Sequence, residues 1–166
     1  MERRLVVMRH AKSSWSSDAS GDHDRPLNGR GRKDAPRVAR ALVDLGWWPA
    51  VVVSSDSART QETWALMAEA GQAASAPTPE VHFERGLYLA GYDELLADAA
   101  SWEPEWTRVL VLGHNPGWQD LVTRLSGTRH EMTTANAALL VGAGASWAGA
   151  LGDRWRLERF LQPKEL

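Results

Sequence analysis

The sequence predicts a three-layer α/β/α sandwich, with a mainly parallel central sheet and a C-terminal antiparallel strand. Three observations predict it. Short unbroken apolar runs, Leu5–Met8, Ala50–Val53 and Val109–Leu112, read as strands buried on both faces, as a parallel sheet requires. Between and after them, apolar residues recur at the three-four-seven spacing of helices: Ala35, Val38, Ala39 and Leu42; Tyr92, Leu95, Leu96 and Ala99; Trp118, Leu121, Val122 and Leu125. The last part changes character. Ala137–Val141 is apolar, 142–152 is glycine-rich, and 154–161 alternates polar and apolar, which reads as a terminal pair of strands with the last exposed on one face. Repeated strand–helix alternation ahead of such a pair argues for layers around one sheet.

Taken in order, the first run leads straight into Arg9 and His10. A strand buried on both faces has little use for either, so both belong at its carboxyl end, where open α/β sheets build ligand sites. Taken alone, the stretch reads equally as a strand ended by an arginine with a loop histidine behind it. Residues 13–28 form a polar, turn-rich loop that carries Arg25. Asn28 caps the next helix, but Pro36 suits only a first turn, so the regular helix begins near Asp34 or kinks there. Arg30, Lys33, Arg37 and Arg40 share roughly one face of it: a solvated basic face, or a docking face for an acidic partner. Gly46 ends the helix and the second run follows. Beyond that run, the small polar residues of 54–63 offer hydroxyl and backbone donors at a helix start, a natural anion-binding arrangement. Arg59 falls in that first turn, where the helix dipole disfavours a cation unless an anion offsets it. Val81–Phe83 reads as a short strand leading to Glu84, and the third long run ends in Gly113-His114.

Length and composition bound the classes available. A chain of 166 residues is expected to be a single domain over 1–166 with room for a substantial core. Its net charge of −2 creates no field favouring nucleic acid or an anionic membrane, so neither is expected as a partner. With no cysteine, neither a disulfide framework nor a thiolate metal site is available. Met1–Arg4 precedes too few apolar residues for a signal peptide, and no run is long enough to span a bilayer, so a cytoplasmic protein is expected. Trp47, Trp48, Trp102, Trp106 and Trp147 fall in apparent loops or element ends, where they either pack those loops onto the core or form an exposed aromatic surface.

Strand ends in a parallel sheet share one edge, so Arg9, His10, the serines before Arg59, and His114 converge there although far apart in sequence. Clustering cationic side chains is costly unless an anion lies between them. Phosphate fits best: arginine forks match its oxygens, and a neutral imidazole can attack phosphorus. No carboxylate cluster or His-x-x-x-His spacing accompanies them, which makes a metal site the weaker alternative.

These residues carry a resemblance. Arg9-His10-Ala11 is similar to the Arg-His-Gly signature of the histidine phosphatase superfamily, which also holds the cofactor-dependent phosphoglycerate mutases. The stretches 9–15, 24–27, 54–60 and 113–117 resemble its SixA-type branch, named for a phosphohistidine phosphatase of bacterial phosphorelays. The likeness runs from residue 5 to about 141, and Ala11 stands where the superfamily has glycine. It implies a phosphoglycerate mutase-like fold, with His10 as nucleophile and Arg9, Arg25, Arg59 and His114 around the phosphate. Glu84 is the nearest positional match to a proton donor, and reads equally as a surface carboxylate or a partner of Arg85. No cofactor and no metal is implied. The implied activity is hydrolysis through phospho-His10 of a phosphorylated substrate, foremost a phosphohistidine-bearing protein in signal transduction. A small phosphomonoester is the alternative substrate, and a phosphate-binding module without turnover the alternative class.

Overall fold

The computed structural model describes residues 1–15 and 19–166, so part of the loop expected over 13–28 lies outside the described residues. In chain order the elements are β1 (Glu2–Arg9), α1 (Gly29–Asp44), β2 (Val51–Ser55), α2 (Ala58–Ala73), β3 (Glu80–Glu84), α3 (Tyr92–Ala99), β4 (Arg108–Gly113), α4 (Gly117–Ser126), β5 (Ala137–Ala143), α5 (Trp147–Leu151) and β6 (Arg156–Leu161). The strands form one sheet in the order β3-β2-β4-β1-β5-β6. Pairing is parallel from β3 through β1, and β5 runs antiparallel to both β1 and β6.

Alternation along the buried strands divides the core into the two halves of a three-layer sandwich. Leu5, Val7, Val53, Val109 and Val111 face α3, α4 and α5, packing on Leu95, Trp118, Leu121 and Trp147. Val6, Met8, Val52, Leu110 and Leu112 face α1 and α2, packing on Val38, Leu42, Trp64 and Met67. Both faces are covered, which is why these strands are unbroken apolar runs rather than alternating ones. The edge strand β6 carries one fully buried residue, Leu161, and is otherwise half-buried or exposed.

Several sequence expectations are sharpened or overturned. Helix α1 starts at Gly29, not near Asp34, with Asn28 Oδ1 accepting from the Gly31 amide at 2.9 Å. Pro36 lies inside the helix. That cap, and complete burial of Ala35, Val38, Ala39 and Leu42, offset the hydrogen bond that proline cannot donate. The helix ends in a Schellman turn: Gly46 has φ 75°, Trp47 N–H reaches Leu42 O at 2.8 Å, and Gly46 N–H reaches Val43 O at 3.1 Å. The glycine-rich stretch holds a helix, α5, capped by Ser146, whose Oγ accepts from the Gly149 amide. Its Trp147 is fully buried, and Trp47, Trp48 and Trp102 are buried too, so these loop tryptophans pack onto the core. Arg30, Lys33, Arg37 and Arg40 are all exposed. Among the described residues, no helix is long and apolar enough to cross a membrane.

One charged residue is buried where the pattern shows only a strand. Arg3 in β1 has no exposed surface, and its guanidinium donates to the carbonyls of Gly144, Ala145, Pro104 and Trp106 at 2.7–3.0 Å. It also lies 5.1 Å from the Trp147 ring centroid. Carbonyl oxygens and an aromatic face thus stand in for water around a full charge, at the sheet end opposite the one that bears His10.

Candidate active site

The parallel register brings the two histidines side by side. Arg9 of β1 pairs with Gly113 of β4, so His10 and His114, each next along its strand, leave the sheet at the same level. Their ring centroids are 5.4 Å apart. The His10 main chain is clamped from three directions. Its N–H donates to Gly113 O at 3.0 Å, the Ala135 amide donates to both Arg9 O and His10 O, and the Ala11 amide donates to Thr63 Oγ1 at 3.1 Å. Ala135 adopts φ 61°, a left-handed backbone that alanine takes at a cost of about 1–3 kcal/mol. Helix α1 presses from below: a Cβ at Gly31 would collide with the Lys12 backbone, so only glycine permits this approach of the helix to the segment after His10.

The hydrogen bonds determine the tautomers. His10 Nδ1 lies 2.7 Å from Ala11 O, which can only accept, so Nδ1 carries the proton. Nε2 is therefore bare, and it accepts from Arg59 Nε–H at 3.3 Å. His114 is the reverse. Arg59 Nη2 donates to its Nδ1 at 3.2 Å, so its proton is on Nε2, which donates to Ser55 Oγ at 2.8 Å.

Arg59, only 2% exposed, is the hub of the cluster. Besides both histidines it binds Asp22, through Nη1 to the main-chain oxygen at 2.8 Å and through Nη2 to Oδ2 at 3.1 Å. Arg25 joins through the same carboxylate, with Nε 3.0 Å from Asp22 Oδ1, while its Nη1 donates to Ser13 Oγ at 2.9 Å. The plane of Arg25 stacks on the exposed Trp15 indole, 3.6 Å from its centroid. Arg9 donates through Nη1 to Met132 O at 3.0 Å, and among the described residues its buried Nε has no hydrogen-bond partner. Tyr88 completes the wall: its hydroxyl donates to Asp22 Oδ2, and its ring meets His114 edge-on.

Two sequence expectations are placed differently. The hydroxyls of 54–60 turn inward instead of facing an anion. Ser57 Oγ caps α2 by accepting from the Thr60 amide, Thr60 Oγ1 bonds Ser55 O, and Ser55 Oγ holds His114. Glu84 ends β3 and is among the residues lining a cavity with Glu80, His82, Asp98, Trp102 and Trp106 on the α3 side of the sheet. Among the described residues it makes no hydrogen bond or ion pair with the histidine–arginine cluster. Asp22 and Tyr88 went unread in the sequence. The available signal was the spacing of Asp22 three residues before Arg25, which fits the ion pair now seen. Among the described residues, no three or more His, Asp or Glu side chains are grouped to hold a metal ion.

Burial holds both imidazoles neutral. It pushes His10 and His114 down to about 3, with the Arg59 charge adding to the effect on each. Desolvation, rather than the arginine field alone, keeps His10 unprotonated. Asp22 is held at about 2: burial pushes it up, but the Tyr88 hydrogen bond and the Arg59 charge outweigh this.

The consequence for stability has a definite sign. Each histidine binds a proton more readily unfolded, with an ordinary value near 6.5, than folded. Stability is therefore expected to fall as pH drops from about 6.5 towards 3, by roughly several kcal/mol per ring. The Asp22 contribution is present above its unfolded value near 3.8 and is lost as pH falls from there through about 2. Urea unfolding followed by tryptophan fluorescence from pH 7 to 4 should show this slope, and His10→Gln should reduce it by about one proton's worth.

Residues 5–146 match the model of the histidine phosphatase superfamily (branch 1). An Arabidopsis thaliana protein described as uncharacterized and chloroplastic is 37% identical over 174 residues, covering 98% of this chain and 79% of its own. Two solved structures are similar throughout. A candidate phosphohistidine phosphatase SixA from Agrobacterium tumefaciens has a TM-score of 0.81 at 26% identity, covering 97% of this chain and 98% of its own. A candidate SixA from Nakamurella multipartitia has a TM-score of 0.77 at 30% identity, covering 98% and 97%.

Proposed function

The chain belongs to the histidine phosphatase superfamily, and from that membership we propose that it hydrolyses phosphoryl groups through a phosphohistidine formed on Nε2 of His10, with a phosphohistidine-bearing protein as substrate. It is an enzyme with phosphatase activity. The observation that carries the mechanism is the bare Nε2 beside the Arg59 guanidinium. A nucleophilic imidazole needs a free lone pair at neutral pH, and the hydrogen bond from Nδ1 to Ala11 O leaves that lone pair on the nitrogen facing the cations.

In the proposed cycle, the Nε2 lone pair forms the N–P bond as the bond from phosphorus to the leaving group breaks. Arg59, Arg9 and Arg25 line the site around the equatorial oxygens, where charge spreads in the transition state, and His114 holds the Arg59 fork in place by accepting from Nη2. The N–H of Nδ1 stays on Ala11 O and supports the cationic imidazole of phospho-His10. Water then attacks phosphorus, and the N–P electron pair returns to Nε2. The chain's own donors supply this stabilisation.

The protein substrate is supported by the rim of the site. Trp15 is 78% and Leu89 58% exposed. Trp15 reaches the cluster by stacking on Arg25, and Leu89 follows Tyr88. An exposed indole stacked on Arg25, with a second exposed apolar residue next to Tyr88, suits contact with a folded partner more than enclosure of a metabolite. The connection between α2 and β3 is only residues 74–79, too short for a cap. The solved neighbours carry the phosphohistidine phosphatase name. A role in signal transduction and the cytoplasmic location read from the sequence belong to the same proposal, although the plant relative is described as chloroplastic. The test is phosphate release in excess EDTA from a phosphohistidine-bearing phosphotransfer domain against a panel of sugar phosphates. A kcat/KM higher for the protein by at least about tenfold is expected, and preference for a sugar phosphate would sink the substrate assignment.

A further inference from the structure

Among the described residues, Asp22 is the carboxylate that hydrogen-bonds to the arginine cluster, and it takes the donors that a phosphoryl group needs. Oδ2 accepts from Arg59 Nη2 and from the Tyr88 hydroxyl, and Oδ1 accepts from Arg25 Nε. Yet its own turn is lightly packed. It lies on a short 3₁₀ turn, Asp22–Asp24, with no buried residue, and its side chain is 42% exposed. A phosphoryl dianion carries more charge and more acceptor oxygens, so it outcompetes a single carboxylate for the same guanidinium groups. The partly exposed Asp22 side chain stays on the solvent side of Arg59, within reach of water.

We propose that Asp22 is the proton-transfer residue of the phosphatase reaction, ceding the arginines to the incoming phosphoryl group and then moving one proton between leaving group and water. The proposal rests on the phospho-His10 cycle of the preceding section. Losing two guanidinium partners and gaining a dianion as neighbour both favour the neutral acid, so Asp22 takes up a solvent proton as substrate binds. In the first half-reaction, the N–P bond forms at Nε2 and the bond from phosphorus to the leaving group breaks. The Asp22 carboxyl protonates the departing atom and becomes a carboxylate. In the second, water bonds to phosphorus, the N–P pair returns to His10, and the Asp22 carboxylate takes the water's proton. Phosphate leaves and the carboxyl ends as it began. Tyr88 steadies Asp22 through its hydroxyl, and burial together with that hydrogen bond raises the phenol, so it stays a donor throughout.

Two esters with the same phosphoryl group test this. Nitrophenolate leaves p-nitrophenyl phosphate without a proton, whereas the alkoxide of glycerol 2-phosphate needs one. In Asp22→Asn, kcat/KM for the alkyl ester is expected to fall about 100- to 1000-fold, and that for the nitrophenyl ester less than about tenfold. Radiolabelled phospho-His10 is expected to accumulate in the variant, because its hydrolysis lacks a base. Equal losses on both esters would reduce Asp22 to a positioning residue for the arginines and overturn the proposal. So would a selective alkyl-ester loss in Glu84→Gln that is missing in Asp22→Asn. A wild-type protein that traps no label on His10 would overturn the phospho-His10 cycle along with it, whereas label with uniform losses would overturn the role of Asp22 alone.

Discussion

His10→Ala is expected to lower kcat/KM on p-nitrophenyl phosphate by on the order of 10⁵-fold or more, because it removes the atom proposed to bond to phosphorus. The clamps on this residue act on its main chain, through Gly113 O, the Ala135 amide and the tie from Ala11 to Thr63, so they survive in the variant. The remaining arginines keep their charge and should still bind inorganic phosphate. The variant should therefore lose turnover and phosphoenzyme trapping while keeping phosphate affinity within about tenfold. Steady-state kinetics, a rapid-quench label and calorimetric phosphate titration check the three parts. A His10→Ala protein that retains activity would end the mechanism.

Arg59→Lys is expected to cost about 100- to 1000-fold in kcat despite keeping the positive charge. The native guanidinium reaches His10 through Nε, and His114 and Asp22 through Nη2, an arrangement that depends on its planar fork. A lysine ammonium is one point on a flexible stem and cannot span both imidazoles. Arg59→Ala adds the loss of charge and is expected to be worse. Removing the charge also relaxes part of the pressure that holds His10 neutral, although burial remains the larger cause. The His10 value should therefore rise in Arg59→Ala, moving the acid limb of its pH–rate profile to higher pH. An Arg59→Lys enzyme within a few-fold of wild type would show that charge alone suffices there.

What was legible in the sequence follows from how strongly burial constrains composition. β1, β2 and β4 lie inside the sheet with helices over both faces, so their central positions, Leu5–Met8, Val51–Val53 and Val109–Leu112, are apolar and the runs stand out. Helices α1, α3 and α4 bury one stripe each, and their spacing shows it. The helix α5 escaped because five residues among glycines give too few turns for a period to register. Pro36 misled because its local cost is visible in one residue, whereas the cap at Asn28 and the packing of a whole face that outweigh it are not.

The same distinction runs through the site. Chain order alone placed Arg9, His10, Arg59 and His114 at the carboxyl ends of parallel strands or the helix start behind one, because parallel strands deliver their ends to one edge whatever the loops do. Tertiary structure decided the rest. Asp22 and Asp24 are indistinguishable as neighbours in a polar loop, yet only Asp22 meets Arg59, since that depends on which way a 3₁₀ turn faces. Glu84 matches a proton donor by position, and that it lines a cavity together with Glu80 and His82 depends on the twofold alternation of β3 and on α3 packing over it. Which nitrogen of His10 is bare depends on the Ala11 carbonyl, and which nitrogen of His114 is bare on the Arg59 guanidinium. Periodicity reports which side of an element is buried; side-chain direction and tautomer are set by contacts between segments distant in the chain, and exist only once it has folded.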